Sequence, residues 1–145
     1  MTLPRHVGTS ERDPQRIVLL VEDEPFVREA TCCILRSAGF VVLSAGDAQE
    51  AMAVYEQSAY KIDMLMTDVV LPGRSGRHLG QDLRRKSPEL PILLTSGYME
   101  PGCDTESLEA RTYYLPKPYS KADLVEKMET ILGKARQRRA ATQVG

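Results

Sequence analysis

The sequence predicts an α/β fold, a series of βα units laid around a parallel sheet. Short apolar runs alternate along the chain with segments of helical period, and each helical segment carries one apolar stripe. At 145 residues the chain fits one domain, and a domain of that size buries roughly two thirds of its unfolded surface, so one core suffices.

The apolar runs place strands at 17–21, 40–44, 62–67, 91–96 and 112–116. After the first strand, Pro25 fits a first helical turn, where its missing N–H costs nothing. Val27, Ala30, Ile34 and Ala38 then recur at spacings of three or four as a stripe, and Gly39 ends the helix. Asp47, with Glu50 three residues on, makes a capping-box-like start to a second helix carrying Ala51, Val54 and Tyr55. A third helix runs from 75 to 86 with Leu79 and Leu83 on one face. The last covers 121–138 with Leu124, Met128, Ile131 and Leu132. Between the last two strands, "MEPGCDTESLEAR" holds Pro101 and Gly102, which leaves a short or irregular helical segment from Asp104. Residues 1–15 read as a tail, 16–134 as the folded domain, and 135–145 as a basic C-terminal tail beyond Lys134, carrying Arg136, Arg138 and Arg139.

Composition excludes several classes. With 42% hydrophobic and 27% charged residues and a net charge of −1, this is neither a polyanion binder nor an acidic solvating chain. Runs such as "IVLLV" fall far short of the ~18–20 apolar residues of a membrane span, and "MTLPRHVGTSERDPQR" lacks a signal-peptide core, so a cytoplasmic location is expected. Cys32 and Cys33 are neighbours on a helix and Cys103 lies in a loop, which suits reduced thiols rather than a disulfide framework or metal site. His6 and His78 lack partners at ligand spacing and read as surface histidines.

The strand ends carry the chemistry, because ligands of open α/β sheets gather beyond the carboxyl ends of the strands. The first strand ends in Glu22-Asp23 of "VLLVEDEP", the third in Asp68 of "MLMTDVVLPG", the fourth in Thr95-Ser96-Gly97, and the fifth in Lys117-Pro118 of "YYLPKPYS". Carboxylates about 4 Å apart repel by ~4 kcal/mol at a protein-like effective dielectric, so an acidic cluster needs a compensating charge. Three carboxylates against one lysine leave −2, and only oxygen donors are offered, which suits Mg2+. Gly73 and Gly76 of "LPGRSGR" match no phosphate-loop pattern and are explained by a turn around Asp68.

These motifs resemble the receiver domain of bacterial two-component response regulators over residues 15–134, and "LLTSGY" looks most like receivers attached to hybrid histidine kinases or small stand-alone relatives. The resemblance implies a flavodoxin-like (βα)5 doubly wound sheet of strand order 2-1-3-4-5. It aligns the family's acidic pair with Glu22 and Asp23, and its phosphoryl-accepting motif D-x-x-x-P-G with Asp68, Pro72 and Gly73. Its K-P aligns with Lys117 and Pro118. The hydroxyl residue is assigned to Ser96 rather than Thr95, because Ser96 lies five residues after Pro91 and precedes Gly97, where a small residue leaves the phosphoryl group room. Thr95 would then point to the opposite face.

By the same resemblance, Asp68 takes a phosphoryl group from a phosphohistidine. Asp23, Asp68 and the Val70 carbonyl ligate Mg2+, with Glu22 acting through water. Lys117 binds the phosphoryl oxygens and its bond to Pro118 is cis. Ser96 is drawn inward and Tyr114 follows, which repacks an output face of the fourth helical segment, fifth strand and last helix. Val70 offers no group to orient a water and Tyr98 shields the site, so self-dephosphorylation is expected to be slow. The chain is therefore expected to signal rather than turn over a substrate, catalysing only its own phosphorylation and dephosphorylation. Expected partners are a sensor histidine kinase or histidine phosphotransferase and a downstream protein, with no direct nucleic-acid or membrane contact. The tail at 135–145, about a dozen residues, is too short for an output module, so action through partners is expected.

Three rivals share parts of this pattern. A haloacid-dehalogenase-like phosphatase wants a second aspartate two residues after the first, where Val70 stands. A flavodoxin-like cofactor binder wants a hydroxyl- and glycine-rich loop where "EDEPF" would repel phosphate. A receiver fold serving as a phosphorylation-independent binding scaffold keeps every motif.

Overall fold

The structure, a computed structural model, describes residues 15–59, 61–97 and 110–144, with side chains in the last helix described to residue 133. Five parallel strands, β1 (Ile17–Val21), β2 (Val41–Ala45), β3 (Met64–Asp68), β4 (Ile92–Ser96) and β5 (Thr112–Pro116), form one sheet in the order β2-β1-β3-β4-β5. The described helices are α1 (Pro25–Ser37), α2 (Ala48–Gln57), α3 (Gly76–Lys86) and α4 (Lys121–Val144). The expected short segment from Asp104, and with it Cys103, lies outside the described residues, as do His6 and Tyr98.

Alternation along each strand splits the core in two. On one face Leu19, Leu65, Leu94 and Tyr114 pack with Ala51 of α2 and Leu79 and Leu83 of α3. On the other, Val18, Leu20, Met64, Met66 and Leu93 pack with Cys32 and Leu35 of α1 and Leu124, Met128 and Ile131 of α4. The doubly wound sheet and its strand order are as the sequence pattern and resemblance implied. None of the described helices is long and apolar enough to cross a membrane.

Besides β3, which runs Met64–Asp68 against the expected 62–67, and β4, which starts at Ile92 rather than 91, three expectations shift. β2 starts one residue late because the Phe40 N–H closes the end of α1 by donating to the Leu35 carbonyl, with Gly39 at φ +100°. α4 continues six residues beyond the expected end, to Val144. The third correction concerns α1: its buried residues are Thr31, Cys32 and Leu35, whereas Val27 and Ala30 are exposed. The buried stripe is thus turned by one position, about 100°, from the one the apolar spacing suggested. Phe26 is 86% exposed and Val27 37%, so an apolar face of α1 looks outward.

Candidate functional site

Four of the five strands, all but β2, deliver terminal polar residues to the same carboxyl edge of the sheet. Glu22 and Asp23 follow β1, Asp68 ends β3, Thr95 and Ser96 end β4, and Lys117 follows β5. Glu22, Asp23 and Asp68 each offer a carboxylate oxygen, and these atoms all lie within 4.8 Å of one another. Glu22 is 5% exposed and Asp68 8%, whereas Asp23 is open to solvent.

The two buried carboxylates are tolerated because Lys117 lies between them, its Nζ 2.8 Å from Asp68 Oδ1 and 3.0 Å from Glu22 Oε1. Glu22 is further fixed through Oε2, which accepts the Glu24 N–H at 3.1 Å, and through its carbonyl, which accepts from Arg28 at 2.7 Å. Burial pushes the Glu22 carboxyl up from its ordinary range and the neighbouring Asp68 adds to this, while the Glu24 N–H and Lys117 pull the other way. Burial disfavours the Lys117 ammonium, but its hydrogen bonds to Asp68 and Glu22 outweigh that and hold its pKa above the usual lysine value. Half-buried Tyr119 is likewise raised by burial, against a hydrogen bond with Thr31.

The Lys117–Pro118 bond is cis. Pro72 and Gly73 lie in the exposed loop after Asp68, with Gly73 at φ +80°, a conformation that favours glycine. Val70 in the same loop is 76% exposed. Among the described residues, no atom lies within 4 Å of where a β-carbon on Gly97 would stand. Tyr114 is 3% exposed, with the Arg77 guanidinium 5.1 Å from its ring centre.

The hydroxyl expectation needs correcting. Thr95 does not point to the opposite face: it is the register partner of Asp68, and its Oγ1 donates to Asp68 Oδ1 at 2.8 Å. Half-buried Ser96, one residue on, takes the other face, the side of Leu94 and Tyr114. Sequence reasoning placed Gly76 in a turn around Asp68 but not its close contact with the Asp68 backbone, and it passed over the outward face of α1. A rigid all-oxygen cluster with one solvent-open carboxylate fits Mg2+, which keeps several waters and dislikes nitrogen or sulfur donors.

The model of the response regulator receiver domain matches residues 18–129. Sensor kinase CckA of Brucella abortus is 34% identical over 118 residues, covering 81% of this chain and 12% of that protein. The phosphate regulon transcriptional regulatory protein PhoB of Pseudomonas aeruginosa is 32% identical over 120 residues, 81% of this chain and 52% of that protein. The chain thus spans at most about half the length of these relatives. Among solved structures, the receiver domain from the hybrid histidine kinase CckA superposes with TM-score 0.69 at 34% identity, covering 80% of this chain and 98% of that one. Response regulator TrrA of Thermotoga maritima, solved in complex with Mg(2+)-BeF, gives 0.70 at 26% identity, covering 81% and 99%. Fold, acidic cluster and matched residues agree, and the chain belongs to the response regulator receiver domain family.

Proposed function

We propose that this receiver, spanning residues 16–134, accepts a phosphoryl group from the phosphohistidine of a sensor histidine kinase or histidine phosphotransferase onto Asp68. The observation that carries the reading is the placement of Asp68: a nearly buried carboxylate held by Lys117 at 2.8 Å, in one cluster with Glu22 and Asp23. A carboxylate oxygen of Asp68 attacks phosphorus. The new O–P bond forms as the P–N bond breaks, and the imidazole nitrogen keeps the electron pair and takes up a proton.

Asp23, Asp68 and the Val70 carbonyl would hold Mg2+, with Glu22 acting through water; once bound, the ion neutralises charge on the phosphoryl oxygens. Lys117, which bridges Glu22 and Asp68 in this structure, transfers its hydrogen bonds to the phosphoryl group. The donor protein docks on the outward face of α1. There Phe26, Val27, Ala30 and Ile34 with Pro118 and Tyr119 line an open groove of ≈ 410 Å³ that reaches Lys117.

Phosphorylation then draws the Ser96 hydroxyl inward and fixes Tyr114 in its buried position, which biases the surface of β5 and α4 toward binding a downstream protein. The test is phosphotransfer profiling against a panel of histidine kinases with Asp68→Asn as control. Label on the wild type alone supports the reading, and equal label on the variant removes Asp68 as acceptor.

A further inference from the structure

The geometry points to Thr95 as a second positioning residue for phosphoryl transfer, one whose hydroxyl orients the Asp68 carboxylate for attack. The inference rests on Asp68 being the acceptor.

Asp68 Oδ1 takes two hydrogen bonds, from Lys117 Nζ at 2.8 Å and from Thr95 Oγ1 at 2.8 Å. Lys117 reaches in on a long flexible stem from the end of β5 and is shared with Glu22. Thr95 differs in every respect. It is 2% exposed, its side chain is short, and it sits directly across from Asp68 in the β3–β4 ladder. Its carbonyl also accepts the N–H of Val69, the residue after Asp68, at 2.9 Å. Main chain and side chain of Thr95 thus grip both sides of the acceptor from one rigid strand position.

A carboxylate held by a lysine alone can turn about its Cβ–Cγ bond, because the ammonium follows it. A hydroxyl fixed in a strand does not follow. With Oδ1 held by two donors from different directions, the carboxylate plane is set, and Oδ2 becomes the oxygen presented to phosphorus. Thr95 touches neither the donor nor the phosphoryl group in this scheme, so its effect falls on the rate at saturating donor and not on donor binding.

The test uses phosphoramidate with Mg2+, which needs no partner protein, on the wild type, Thr95→Ser, Thr95→Val and Thr95→Ala. Valine keeps the shape of threonine without the donor, and serine keeps the donor with less volume. Two roles therefore rank the variants oppositely. If the hydroxyl matters, Val and Ala lose about tenfold in maximal phosphorylation rate while Ser stays within about threefold of wild type. If Thr95 only fills space, Val resembles wild type, and Ser and Ala fall together. Circular dichroism at the assay temperature refers each rate to folded protein. In the metal-free proteins, NMR relaxation of the Asp68 side-chain carboxyl should show added mobility in Val and Ala but not in Ser. Ranking by volume, or Val and Ala phosphorylating like wild type, overturns the role of Thr95 and leaves Asp68 as acceptor. A wild type that takes no label, or an Asp68→Asn control that labels equally, overturns the acceptor reading and this inference with it.

Discussion

A β-carbon on Gly76 would stand 1.9 Å from the carbonyl oxygen of Asp68 and 3.0 Å from Thr67 Oγ1. The first turn of α3 thus presses against the backbone of Asp68, and the Gly76 N–H seals the contact by donating to the Val69 carbonyl at 2.7 Å. The clashing atom is main chain at the end of a buried strand, so no rotamer change relieves it. Gly76→Ala should destabilise the protein by ~3 kcal/mol, the upper end of overpacking effects, and slow phosphorylation of Asp68 by displacing it. Urea denaturation checks this; a loss under ~0.5 kcal/mol would mean that the loop gives way freely.

What the sequence made legible were signals carried by neighbours in the chain. Asp47 and Glu50 form the expected reciprocal cap, Asp47 Oδ1 accepting the Glu50 N–H and Glu50 Oε1 accepting the Gly46 N–H, each at 2.8 Å. The convergence of Glu22, Asp23, Asp68 and Lys117 was legible because strand ends of a parallel sheet share one edge. Thr95 was misread because its partner depends on register between β3 and β4, which residue spacing within one strand does not reveal. The rotation of α1 was missed because its apolar stripe lies on the surface beside Lys117, and the core takes Thr31, Cys32 and Leu35 instead.

That surface yields a second prediction. Phe26 is 86% exposed and contributes little to folding, so Phe26→Ser should change stability by no more than ~0.5 kcal/mol. If the α1 face receives the phosphodonor protein, the same change should slow transfer from a histidine kinase or phosphotransferase by about tenfold, the loss of one well-placed aromatic contact. Phosphorylation by phosphoramidate should be unchanged. Equal slowing with both donors would place the defect in the site and not in docking.

Lys117 and the proposed metal share Asp68, and both draw on Glu22, the lysine directly and the ion through water. Removing the lysine leaves Glu22 and Asp68 facing each other with 5% and 8% exposure, so Lys117→Met should lose ~2–3 kcal/mol of stability without divalent cation. The cluster it leaves is more negative, and Mg2+ should bind the variant more tightly than the wild type. Ligand at ten times its dissociation constant adds ~1.4 kcal/mol, so at one common Mg2+ concentration the tighter-binding variant should gain more than the wild type and recover part of the deficit. Thermal denaturation with and without Mg2+ measures both. A variant stabilised less by Mg2+ than wild type would show that Lys117 helps hold the ion rather than opposing it.

Tyr119, beside the site, gives a pH dependence with a definite sign. Burial raises its phenol above the usual tyrosine value, so on going alkaline the unfolded chain ionises first. Its contribution to stability is therefore complete below about pH 10 and is lost as pH rises through the folded-state value. Chemical denaturation of wild type and Tyr119→Phe should show parallel curves below about pH 9 and a shallower alkaline decline in the phenylalanine variant. The same alkaline slope in both proteins would assign the decline to other groups.

The lifetime of the acyl phosphate follows from what stands two residues after Asp68. Hydrolysis needs a water aligned on phosphorus opposite the Asp68 oxygen, and a side chain that orients such a water must hydrogen-bond it. Val70 occupies that position, is 76% exposed and cannot form the bond. A water arriving there is left unoriented by residue 70, so the phosphorylated protein should lose its phosphoryl group with a half-life of minutes or longer in Mg2+. Val70→Asn, which supplies an amide able to hold the water, should shorten that half-life by about tenfold while leaving stability nearly unchanged, as expected at an exposed site. Decay of the labelled protein after removal of the donor measures both forms. A wild-type half-life of a few seconds would mean that another group, outside the loop carrying Val70, already orients the water.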